Sequence, residues 1–122
     1  MAKKNILVIE DNHAILDVIT LILESEAFNV DGLNKGADFI KHVQEFNPDV
    51  IIMDIMLPDV DGRVLLKELK ETEATNHIPV LMISARYNAN NYSLDGIEAD
   101  DFMAKPFNID ELMDKIYALL RK

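Results

Sequence analysis

The sequence predicts an α/β protein: a doubly wound, five-stranded parallel sheet with helices on both faces. Three observations predict it. Short apolar runs alternate with segments of helical periodicity along all 122 residues. The runs are apolar throughout rather than every second residue, as in strands covered on both faces. The strongest of them end in polar residues, as strands do where they leave a sheet.

The elements follow in order. "NILVI" (5–9) reads as a buried strand. Ile15, Val18, Ile19, Ile22 and Leu23 recur at helical spacing behind Asn12, an expected N-cap. "FNVDG" (28–32) is a weaker strand, and Phe39, Ile40, Val43 and Phe46 mark a helix stopped before Pro48. "DVIIMD" (49–54) is the third strand, followed by a helix over Val64, Leu65 and Leu69. "IPVLMIS" (78–84) is the fourth strand. A fourth helix is expected over 87–97, although "YNANNYSLDGI" is poor helix material. "DDFMAK" (100–105) is the fifth strand, and Asn108 to Glu111 opens a last helix with Ile109, Leu112, Met113, Ile116 and Leu120 on its inner face. The six methionines are expected as core filler.

Length suits one domain, residues 1–122, and 49% apolar residues are enough for a core. The absence of cysteine excludes disulfides, thiolate metal sites and cysteine catalysis. No apolar run approaches the roughly 18 residues of a membrane span, and Glu10 and Asp11 interrupt the N-terminal run too early for a signal peptide. A cytoplasmic protein is expected. Twelve Lys and Arg against 22 Asp and Glu give a net charge of −10, which repels nucleic acid and anionic lipid and suits a partner with a basic patch.

In doubly wound sheets, ligands sit beyond the carboxyl ends of the strands. There the sequence places Glu10 and Asp11 after strand 1, Asp54 at the end of strand 3, Ser84 at the end of strand 4 and Lys105 at the end of strand 5. Three carboxylates without sulfur or imidazole suit a hard cation, and magnesium takes one or two carboxylates plus a phosphate. With a lysine and a hydroxyl beside them, the set makes a phosphoryl-transfer kit in which Asp54 is the nucleophile. His13, His42 and His77 share no ligand spacing and are taken as surface residues.

"VIEDN" (8–12), "MDIMLPDVDG" (53–62), "MISA" (82–85) and "DDFMAKPF" (100–107), in this order and at these strand ends, resemble the receiver domain of two-component response regulators across the whole chain. The resemblance implies a (βα)5 flavodoxin-like fold. It implies Asp54 as phosphoacceptor, Asp11 as a direct Mg2+ ligand, Glu10 acting mainly through water, and the backbone carbonyl of Met56 as a third protein ligand. It implies Ser84 as the switch hydroxyl and Phe102 as the aromatic switch. Lys105 would pair with the phosphoryl oxygen, across a cis peptide to Pro106. Ala85 leaves the pocket open, Pro58 and Gly62 shape the loop after Asp54, and Asp59 and Asp61 serve as turn and cap. The implied partners are a sensor histidine kinase or histidine phosphotransfer protein and a downstream effector protein, with no nucleic acid and no membrane. The implied activity is a signalling switch or phosphorelay carrier with self-catalysed phosphotransfer and autodephosphorylation, not a metabolic enzyme. The sequence departs from the family at Glu98-Ala99, where Gly-Ala is usual, and in the slightly short span from Ser84 to Lys105. Both fall on the fourth helix, and a third departure is Phe102, which lacks the hydroxyl of the family's common tyrosine.

Other functions are weighed against this one. "DVDG" (59–62) faintly suggests the paired aspartates of a haloacid-dehalogenase-type phosphatase, but Pro58 precedes it where an apolar strand should end. An FMN-binding module would need a phosphate loop after strand 1, and "EDNH" repels a dianion. A scaffold-only pseudo-receiver would lack an acidic or lysine position, and none is lacking.

Overall fold

The computed structural model describes residues 3–85 and 93–121. Its strands are β1 (Asn5–Ile9), β2 (Asn29–Leu33), β3 (Val50–Asp54), β4 (Val80–Ser84), β5 (Ser93–Leu94), β6 (Ile97–Glu98) and β7 (Asp101–Ala104). Its helices are α1 (His13–Ser25), α2 (Phe39–Phe46), α3 (Gly62–Glu71) and α4 (Ile109–Leu120). Five strands form one parallel sheet in the order β2-β1-β3-β4-β7.

Strand side chains alternate between the two faces, and the core divides accordingly. Ile6, Val8, Val50, Ile52, Leu81 and Ile83 pack with Ile19 and Leu23 of α1 and Leu112 and Ile116 of α4. Leu7, Ile9, Ile51, Met53, Val80 and Met82 pack with Phe39 and Val43 of α2 and Leu65, Leu66 and Leu69 of α3. The continuous apolar runs are thus explained by cover on both sides. The expected caps form: Asn12 accepts from Ile15 N–H, Asp61 from Arg63 N–H and Asn108 from Glu111 N–H. Met53, Met82, Met103 and Met113 are core, but Met56 is exposed beyond β3.

Ile109, expected on the inner face of the last helix, is exposed, and the expected fourth helix is corrected too. The part of 87–97 that the structure describes is not helical, and the rest of that stretch lies outside the described residues. Strands β5 and β6 pair antiparallel, Ser93 with Glu98 and Leu94 with Ile97. Asp95 (φ 54°) and Gly96 (φ 80°) join them. A two-residue hairpin turn of this hand needs positive φ at both central residues, which Asp-Gly supplies readily. Ile97 and Ala99 pack against the α2–α3 core, and Lys67 of α3 lies 3.7 Å from Asp95.

Two left-handed residues give a reciprocal prediction. Ala27 (φ 67°) follows α1, with Ala27 N–H bonded to Glu24 O and Phe28 N–H to Leu23 O, a Schellman stop with alanine where glycine fits best. Ala27→Gly is expected to raise stability by about 1 kcal/mol, and Gly96→Ala to lower it by a similar amount. A Cβ on Gly96 would meet nothing within 4 Å, so that loss is conformational alone. Urea unfolding of both variants checks the opposite signs.

Candidate functional site

The chain runs from β1 outward to β2 on one side and returns to β3 on the other. The crevice at this reversal lies at the carboxyl ends of β1 and β3. Register then sets the heights. Ile9 lies opposite Met53, Asp54 opposite Ile83 and Ser84 opposite Ala104. Glu10, Asp54, Ser84 and Lys105 therefore sit at one rim, and Glu10, Asp54 and Ser84 are buried there.

Each of the two buried carboxylates is held in the same way. Asp54 Oδ1 accepts from Met56 N–H at 3.1 Å, and Oδ2 accepts from Lys105 Nζ at 3.0 Å. Glu10 Oε2 accepts from Asn12 N–H at 3.2 Å, and Oε1 lies 2.5 Å from Lys105 Nζ. The Glu10 contact is an ion pair without hydrogen-bond geometry, so Oε1 is a wholly buried oxygen with charge to share. Burial pushes the Glu10 carboxyl up to about 7, helped by the neighbouring Asp54 carboxyl and opposed by Lys105. Burial pulls the Lys105 ammonium down, but Glu10 and Asp54 outweigh it and hold it above the ordinary lysine range.

Asp11 is exposed beside them, and one oxygen from each of Glu10, Asp11 and Asp54 lies within 4.8 Å of the other two. No other such group of three occurs among the described residues. An all-carboxylate set with a buried oxygen lacking a hydrogen bond fits a small hard cation such as Mg2+. Met56 stands at the mouth of the set, tied to Asp54 by its N–H and bridged to Asp61.

The other expected residues fall as follows. The Lys105–Pro106 peptide is cis, as expected. Phe102 is half-buried and packs against the α2–α3 core. Asp61 caps α3 and binds Arg63, and it stands outside the group of Glu10, Asp11 and Asp54. Asp59 bonds to Gly36 N–H at 2.8 Å, a tie between two loops that no local sequence pattern reveals. Beside the rim, Ala14, Ile15 and Val18 of α1 and Pro106 and Phe107 line an apolar groove of about 540 Å³ that Lys105 also borders.

A family model, the response regulator receiver domain, matches residues 6–117. The chain is 35% identical over 119 residues to the DNA-binding dual master transcriptional regulator RpaA of Synechocystis, covering 96% of this chain and 49% of that protein. It is 36% identical over 119 residues to the phosphate regulon transcriptional regulatory protein PhoB of Rhizobium meliloti, covering 96% and 52%. The chain spans about half the length of these curated relatives. A CheY-like response regulator receiver domain protein from Methanospirillum hungatei superposes with a TM-score of 0.88 at 28% identity, covering 98% of this chain and 95% of that one.

Proposed function

This chain belongs to the response regulator receiver domain family, and on that premise we propose that Asp54 is the aspartate through which it is switched. The observation that carries the proposal is the Lys105 ammonium held between Asp54 and Glu10 at the rim. A receiver works in phosphorylation-dependent signalling, so the rim residues take roles in phosphoryl transfer. The Asp54 carboxylate attacks the phosphorus of a phosphohistidine. An O–P bond forms, the P–N bond breaks, and the imidazole leaves with its electron pair and takes up a proton. Glu10, Asp11, Asp54 and the Met56 carbonyl would hold Mg2+, which offsets the negative charge of the phosphoryl oxygens when bound. Lys105 pairs with one phosphoryl oxygen, and the Ser84 hydroxyl donates to another. Phe102, across the sheet from Met82, follows Ser84 inward. Attack of water on the acyl phosphate returns Asp54, which makes autodephosphorylation part of the same reading.

A sensor histidine kinase or histidine phosphotransfer protein supplies the phosphoryl group, and a downstream effector protein reads it. The apolar groove along α1 and Pro106–Phe107 borders Lys105 and suits the helical face of such a donor. The relatives named for DNA binding are about twice as long, and a net charge of −10 disfavours nucleic acid on these 122 residues themselves. Among the described residues no helix is long and apolar enough to cross a membrane. We place the chain in the cytoplasm, as one receiver domain over residues 1–122. The phosphatase alternative gains no support. Asp59 and Asp61 are engaged in loop and cap contacts beyond β3 rather than at its end.

Acetyl phosphate with Mg2+ is expected to add one base-labile phosphoryl group, seen by intact mass. Asp54→Asn or EDTA is expected to abolish it. The same adduct on Asp54→Asn overturns the assignment.

A further inference from the structure

We infer that Asp59 is a positioning residue for the cation site, tying the loop that carries Met56 to the turn that opens α2. The loop 55–61 closes on itself at its base. Gly62 N–H bonds to Ile55 O at 2.6 Å, and Met56 bridges to Asp61. Its outer part is held by a different element, through the 2.8 Å bond from Gly36 N–H to Asp59 Oδ1.

Three observations make this a built contact rather than a chance one. Gly36 is buried, and a Cβ there would lie 2.3 Å from Val60 Cγ1, so the Val60 side chain packs against Gly36 where any larger residue would displace it. Asp38, which precedes α2 at φ 60°, makes no side-chain cap bond. Asp59 therefore supplies an acceptor to that turn from 23 residues away. The Gly36 N–H leads the causes that hold the Asp59 carboxyl below the ordinary aspartate range, so the acceptor stays ionised.

Asp59 is exposed and stands outside the group of Glu10, Asp11 and Asp54. It acts on the cation through the loop. The inference rests on the reading in which the Met56 carbonyl is a ligand. A backbone oxygen serves only while its loop stays in place, and outer partners of metal ligands typically control affinity by 10- to 100-fold.

The test is a calorimetric titration with Mg2+ alone, run beside urea unfolding. Asp59→Ala is expected to weaken Mg2+ binding about tenfold with the fold retained. Asp59→Asn keeps a neutral Oδ1 acceptor and is expected to stay close to wild type. Gly36→Ala, which pushes Val60 away while leaving Asp59 intact, is expected to weaken binding as Asp59→Ala does. The Met56 amide resonance, which moves on Mg2+ addition in the wild type, is expected to need more Mg2+ in both weakened variants. Asp59→Ala that lowers the urea midpoint but binds Mg2+ as tightly as wild type overturns the inference and leaves a purely structural tie. Wild type that loses Mg2+ binding on Asp54→Asn but not on Asp59→Ala overturns this inference alone. Wild type that binds no Mg2+ overturns the cation reading as well.

Discussion

Gly62→Ala is expected to destabilise the protein by about 3 kcal/mol and to cut phosphoryl labelling of the fraction that still folds. Gly62 is buried at the first position of α3. A Cβ there would lie 2.2 Å from the backbone O of Asp54 and 3.0 Å from Ile55 Cα. Neither obstacle can rotate aside, because both are backbone atoms, at the end of the central strand and just beyond it. The helix start must therefore retreat, or the strand end must shift. Retreat pulls on Leu65, Leu66 and Leu69, all buried against the sheet. A shifted strand end moves Asp54, and with it the bond to Lys105. Overpacking ordinarily costs about 1–3 kcal/mol, and a backbone obstacle places this case at the upper end. Gly32→Ala is the control, since the atoms nearest a Cβ there belong to the flexible Leu16 side chain, the first at 3.2 Å. Urea unfolding and intact-mass labelling of both variants decide it. Wild-type stability in Gly62→Ala would mean that α3 does not begin against Asp54.

Much of this arrangement was legible in the sequence because it depends on strand ends. Ile51, Ile52 and Met53 are wholly buried, and their apolar run stops at Asp54, where the strand stops. A run covered on both faces tolerates a carboxylate only at its end, so the rim could be read residue by residue. What lay across the chain could not. Gly36 and Asp59 meet through loop closure, and neither has a local signature. The relation between the two N-terminal acids was also hidden. Glu10 and Asp11 are neighbours, yet Glu10 is wholly buried against Lys105 and Asp11 is exposed. The hairpin is a different case. Asp95-Gly96 between Leu94 and Ile97 carries a strong turn signal. The repeating β-α pattern favours a fourth helix there, but the turn prevails, and low helix propensity over the same stretch points the same way.

Without metal, the wild type is expected to lose stability as pH rises from about 4.5 to 7, and Mg2+ is expected to restore more at pH 8 than at pH 5.5. The cause is Glu10, whose carboxyl is pushed from 4.5 up to about 7, first by burial and then by Asp54. The folded chain keeps a proton over that window that the unfolded chain releases. The stability this provides is complete below pH 4.5 and gone above pH 7. The displacement corresponds to at most roughly 3 kcal/mol. Mg2+ competes with that proton for the same oxygens, so its effect grows as Glu10 ionises. At about 100 times its dissociation constant a cation adds roughly 2.7 kcal/mol to the folded state. Glu10→Gln carries no such proton, so its metal-free melting temperature is expected to exceed that of wild type at pH 8. The pH slope is expected to flatten and the Mg2+ response to shrink. Asp54→Asn removes the neighbour that raises Glu10 and is expected to stabilise the metal-free protein at pH 8 in the same direction. Every other residue is the same in the two proteins, so the difference between wild type and Glu10→Gln isolates this site. Parallel melting curves for those two proteins in EDTA from pH 5 to 8, with equal Mg2+ shifts at pH 5.5 and 8, would leave the rim as a buried ion pair and not a cation site.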